Sequence, residues 1–92
     1  MRIVWSRTAI SNLVEIREYV AQDKPIADTR LAERIVAAVE RLVRHPYLGH
    51  AGREPEMREL IVAGTPYIVA YKIYRDQLAI LALLHGSQGR LE

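Results

Sequence analysis

A chain of 92 residues, half of them hydrophobic, can bury one core, so a single domain over residues 1–92 is expected. Cysteine is absent, which excludes disulfides, thiolate zinc sites and a cysteine nucleophile, and neither a membrane-length apolar run nor a signal peptide is present, so a cytoplasmic protein in a reducing compartment is expected. The formal charge is only +2, yet Lys24 and Lys72 are the only lysines, and the arginines that make up the rest of the basic side suit carboxylate and phosphate partners alike.

In chain order, residues 2–5 alternate with Ile3 and Trp5 on one side, and Ser6 and Thr8 are good helix N-caps, so the pattern predicts a strand followed by a helix. Ala9, Leu13, Ile16 and Val20 then recur at helical steps, with Glu15, Arg17 and Glu18 facing water. A short polar break at 22–25 offers Asp23 as a cap and Pro25 as a first-turn residue of a second helix. There Leu31, Ile35, Ala38 and Leu42 repeat the apolar stripe, while Arg30, Glu33, Arg34, Glu40, Arg41 and Arg44 cover the remainder. Two amphipathic helices joined so tightly are antiparallel neighbours, and Pro46 and Gly49 stop the second.

After a polar stretch at 49–56 the period becomes extended. Segments 57–62, 67–74 and 78–84 are rich in Ile, Val, Leu and Tyr, with turn signals at Gly64, Pro66 and Asp76. The predicted fold is α+β: an N-terminal strand, an antiparallel helix hairpin and a three-stranded antiparallel meander, with the helices on one face of the sheet. The last strand, Leu78 through Leu84, is apolar at every position. An antiparallel sheet with helices on one side ordinarily wets the other, so this run implies either a central strand buried by its neighbours or, as favoured here, a second face reserved for another chain.

Few residues can carry chemistry. His45, His50 and His85 are the only histidines, and their spacing gives no metal set with Asp or Glu. His45 ends a helix and His50 lies in a glycine-flanked loop, both structural positions. His85 differs, because it closes the apolar strand just before Gly86 and can titrate near neutrality. Arg58 opens the meander, and Lys72, Tyr74 and Arg75 stand near the end of its middle strand, a basic patch in sequence terms. Metal-free RNA cleavage needs a base, a cation for the phosphorane and an acid, work that His85, Arg58 and Arg75 can divide. The plainer alternative pairs Arg58 with Glu56 or Glu54 and leaves His85 a satisfied strand end. Tyr67, Tyr71 and Tyr74 read as packing, and no glycine-rich phosphate loop or serine elbow is present, so no cofactor and no metal are expected.

The order of these features resembles the RelE/ParE toxins. The resemblance runs over nearly the whole chain: Trp5, Ala9 and Leu13 at the start, Tyr19 near the end of the first helix, then Leu42 with His45, Pro46 and Gly49, Arg58-Glu59-Leu60 like the family's Arg-Glu-Leu strand, Pro66, Tyr67 and Tyr71 like its middle strand, and His85-Gly86 like its terminal motif. It implies the toxin of a type II toxin–antitoxin system, causing growth arrest until neutralised in a hetero-oligomer by a cognate antitoxin, ParD-like or RelB-like, whose C-terminal segment wraps it. RelE-like members cut messenger RNA on the ribosome, whereas ParE-like members poison DNA gyrase. Arg58 and His85 fall where nuclease members keep functional residues. However, the lysine-rich stretch before that arginine is replaced by Arg53, Glu54 and Glu56, Gln88 and Arg90 stand where relatives often carry an arginine and a tryptophan, and Ser87 follows Gly86 where nucleases often have an aromatic. These departures favour a ParE-like, non-enzymatic gyrase inhibitor over a metal-independent, ribosome-dependent endoribonuclease, with an inert binding module as a third reading. Leu91 and Glu92 fit a tag remnant and carry no weight.

Overall fold

In the computed structural model, which describes residues 1–86, the chain runs β1 (Arg2–Trp5), α1 (Arg7–Asp23), α2 (Pro25–Arg44), β2 (His50–Ala51), β3 (Met57–Ile61), β4 (Tyr67–Tyr74) and β5 (Gln77–His85). Ser6 sets the start of α1: it is extended, and its hydroxyl accepts from the Ala9 amide at 2.9 Å, satisfying one of the amides a helix leaves free at its first turn. Thr8 lies inside the helix. The two helices are separated by Lys24 alone, whose extended backbone is what a residue preceding proline is driven to adopt. Asp23, the cap expected from sequence, is instead the last residue of α1, and Lys24 takes the cap position without a side-chain bond. α2 ends at Arg44, where the His45 amide closes the last turn onto the Arg41 carbonyl at 2.9 Å.

The expected three-stranded meander is the centre of a wider, mixed sheet of order β1-β5-β4-β3-β2. β1 joins it parallel to β5, with Ile3 beside Leu78 and Trp5 beside Ile80, and β2 adds two residues antiparallel to β3 within the stretch expected as loop. β5 is therefore central, flanked by β1 and β4. Its unbroken apolar run has a second cause as well. Tyr71 pairs with Ile80 while Ala70 pairs with Ala82, so Leu81 is an extra residue and the side-chain alternation changes phase there. Leu78 and Ile80 before the bulge, and Leu83 after it, all reach the helix side and are buried with Ile35, Leu42 and Val69. By alternation the opposite face carries the small residues Ala70, Ala79 and Ala82. No helix among the described residues is long and apolar enough to cross a membrane.

Candidate functional site

The best-defined polar arrangement is built around Tyr71. Its side chain has no exposed surface, and its hydroxyl donates to the Pro46 carbonyl at 2.7 Å and accepts from the Gly49 amide at 2.9 Å. The turn after α2 is thereby tied to the middle of the sheet. A Cβ at position 49 would stand 2.6 Å from the Tyr71 oxygen and 2.8 Å from the Glu59 carbonyl, so only glycine lets the backbone come this close. Arg58, beside Tyr71 in register, completes the arrangement. Its Nη2 donates to the carbonyls of Gly49 at 2.7 Å and Tyr47 at 3.1 Å, its Nε donates to Gly49 at 3.1 Å, and its guanidinium lies 5.2 Å from the Tyr47 ring centroid.

Neither expected ion pair of Arg58 forms. Glu56 reaches Lys72 instead, at 3.2 Å, and the nearly buried Glu59 takes Arg53 through Nε at 2.9 Å. The reason is register: Arg58 lies against the turn at 47–49, whereas Glu59, one residue on, points to the other face of the sheet. Tyr47 and Arg53 had no signal of their own in the sequence, since their partners lie six to eleven residues away across the fold.

Arg58 and Arg75 share a cleft of about 700 Å³, together with Tyr47, Arg53, Glu54 and Glu56. Arg75 sits at the tip of the β4–β5 hairpin, its guanidinium 5.5 Å from the Tyr74 ring centroid. Two lining residues, Glu56 at φ 66° and Arg75 at φ 58°, occupy the left-handed region that side chains other than glycine avoid. Among the described residues, both non-glycine positions with positive φ thus border one cleft, and backbone strain of this kind gathers where a surface is held for use.

His85 is elsewhere. It pairs in register with Tyr67 and meets that ring edge-on, centroids 5.5 Å apart, in a separate cleft of about 530 Å³ with Asn12, Glu15 and Tyr19. Burial, assisted by the nearby Tyr19, pushes the Tyr67 phenol above its ordinary range. Arg58 and His85 are referred to β4 residues four positions apart, about 13 Å along the strand, and lie on opposite sides of it, about 10 Å across. The structure therefore brings Arg58 and Arg75 to one cleft and His85 to another. Among the described residues, no three His, Asp or Glu side chains converge as a metal site. Ser87, Gln88, Arg90, Leu91 and Glu92 lie outside the described residues.

Comparison with known proteins agrees with this architecture. A chain from the chromosomal ParDE system of Pseudomonas aeruginosa superposes with a TM-score of 0.84 over 92% of this chain and 95% of that one, at 22% identity, which establishes the common fold. A Sinorhizobium fredii protein assigned as a toxin, Y4kP, is 41% identical over 87 residues, covering 95% of this chain and 90% of the relative. The toxin RelE2 of Caulobacter vibrioides is 30% identical over 87 residues, covering 95% and 97%. Residues 3–89 match the family described as the ParE toxin of the type II toxin–antitoxin system parDE, and the chain belongs to that family, within the RelE/ParE superfamily of toxins.

Proposed function

We propose that the chain is the toxin of a two-protein operon, held silent by a cognate antitoxin, and that its free form acts by inhibiting DNA gyrase rather than by cutting RNA. The observation that carries this reading is the state of Arg58. Three of its hydrogen bonds go to backbone carbonyls and its face rests on Tyr47, so it is spent on fixing the turn at 47–49. A phosphorane needs fixed, available cations and a base and acid on opposite sides of one phosphate. Here His85 opens into a different cleft from Arg58 and Arg75. An inhibitor of a large protein needs a shaped, arginine-bearing surface instead, which the cleft of Arg58 and Arg75 supplies.

The decisive experiment induces the chain without antitoxin and pulse-labels DNA and protein synthesis, alongside a supercoiling assay on purified gyrase. We expect DNA synthesis to fail first and supercoiling to be inhibited. Prompt loss of protein synthesis with ribosome-dependent messenger cleavage and normal supercoiling would reverse the assignment, making Arg58, Arg75 and His85 candidate catalytic residues.

A further inference from the structure

The end of α1, the start of α2 and the β3–β4 turn enclose a groove of about 600 Å³ that plays no part in the arrangement above. Its apolar lining comes from Val20, Ala27, Leu31 and Pro66, and Ile26, 71% exposed, stands at its lip. Lys24, Arg30 and Arg34 border it, and among the described residues no Asp or Glu lines it. The ion pairs among the described residues are Arg17–Asp28, Arg53–Glu59 and Lys72–Glu56, so these three cations have no carboxylate within 4 Å.

One of the three is fixed in advance. Arg34 donates from Nη1 to the Ala63 carbonyl at 3.1 Å, crossing the turn directly over Gly64. Gly64 has φ 77°, and a Cβ there would collide with Arg34 Nη1, so the glycine both makes the turn and leaves room for the guanidinium. An arginine held by one edge keeps its other N–H groups for an outside acceptor at little further entropic cost.

We propose that this groove receives a segment of the antitoxin that presents an aliphatic side chain between carboxylates, the aliphatic group entering the apolar lining and the carboxylates meeting Lys24, Arg30 and Arg34. The proposal rests on the reading of the chain as an antitoxin-bound toxin. Charge complementarity selects the occupant. Three unpaired cations repel a basic segment, and a nucleic-acid backbone has nothing to place against Val20, Leu31 and Ile26, so an acidic amphipathic peptide satisfies both parts of the groove.

The test titrates the purified product of the paired antitoxin gene against the wild-type chain, the double variant Lys24→Glu/Arg30→Glu, Ile26→Ser and, as a charge-matched control away from the groove, Arg7→Glu, each confirmed folded by circular dichroism. These side chains are exposed, and none is used in a side-chain hydrogen bond among the described residues. We expect the double variant to bind roughly tenfold or more weakly with a shallower salt dependence. Ile26→Ser should bind roughly fivefold more weakly with the salt dependence intact, and Arg7→Glu should stay within about twofold of wild type. Groove variants that bind like a tightly binding wild type would overturn the groove and leave the toxin–antitoxin reading standing. A wild type that binds no antitoxin would remove both. A single-stranded 20-mer oligonucleotide, titrated in parallel, gives the last arm: if it binds wild type and is lost on the double variant while antitoxin binding is kept, the groove is a nucleic-acid surface and the proposal fails.

Discussion

Tyr71→Phe removes one oxygen from a fully buried site and leaves two backbone groups, the Gly49 amide and the Pro46 carbonyl, without a partner. An orphaned buried polar group costs about 1–3 kcal/mol, so a fall in Tm on the order of 10 °C is expected. Thermal and urea denaturation measure it, and a loss below about 0.5 kcal/mol would mean that water replaces the hydroxyl. Arg75 supports a residue-scale prediction of the opposite sign. At φ 58° an arginine is strained where glycine is not, so Arg75→Gly should leave stability unchanged or raise it by about 1 kcal/mol. If the cleft it shares with Arg58 meets the target, growth arrest should weaken in the same variant. Stability gained with undiminished arrest would make Arg75 a turn residue and nothing more.

At the scale of elements, α1 is fastened to the bulge of β5 at two points. Ser6 accepts from the Ala9 amide and donates to the Leu81 carbonyl at 2.8 Å, while Asn12 Oδ1 accepts from the Leu83 amide at 3.1 Å. β1 stops opposite Ile80, so beyond that point this edge of β5 has no neighbouring strand, and Ser6 and Asn12 take up its backbone groups instead. Ser6→Ala should therefore cost more than an ordinary N-cap, about 2 kcal/mol against the usual ~1, and Asn12→Ala about 1–2 kcal/mol by urea unfolding. A Ser6→Ala loss of a few tenths would show that the bulge is held by strand pairing alone. These contacts also mark where sequence reading stops. The stripes of Leu13, Ile16 and Val20 and of Leu31, Ile35 and Leu42 are local and periodic, as are the hairpin signals at Gly64 and Asp76, so helices and meander could be read directly. The parallel seating of β1 on β5, the extra residue at Leu81 and the carbonyl partners of Arg58 all depend on residues distant in the chain, which no local period encodes. The candidate residues were legible as residue types; their division between two clefts followed only from strand register.

For the whole molecule, the surface outside the sheet bears on how the chain behaves alone. Ile10 and Val14 on the outer side of α1 and Val36 on α2 are each about half exposed, at 51%, 51% and 46%. Ile10 and Val14, four residues apart, share one face of α1, and Arg17 of α1 bonds Asp28 of α2 across the hairpin. Ile61 at the edge of the sheet and Ile26 at the groove add further aliphatic surface. A net charge of +2 gives little repulsion to keep copies apart. We expect the chain purified alone to self-associate as its concentration rises, by dynamic light scattering, and to become a discrete hetero-oligomer when antitoxin is added. Its Tm should climb with antitoxin concentration, by about 2.7 kcal/mol of added stability at a hundredfold excess over Kd. Val14→Glu with Val36→Lys separates the causes: if the hairpin patch drives association, this pair should restore a monomer while toxicity and the groove of Lys24, Arg30 and Arg34 remain unaffected. A wild-type chain that stays monodisperse at high concentration without antitoxin would show instead that this aliphatic surface is innocuous.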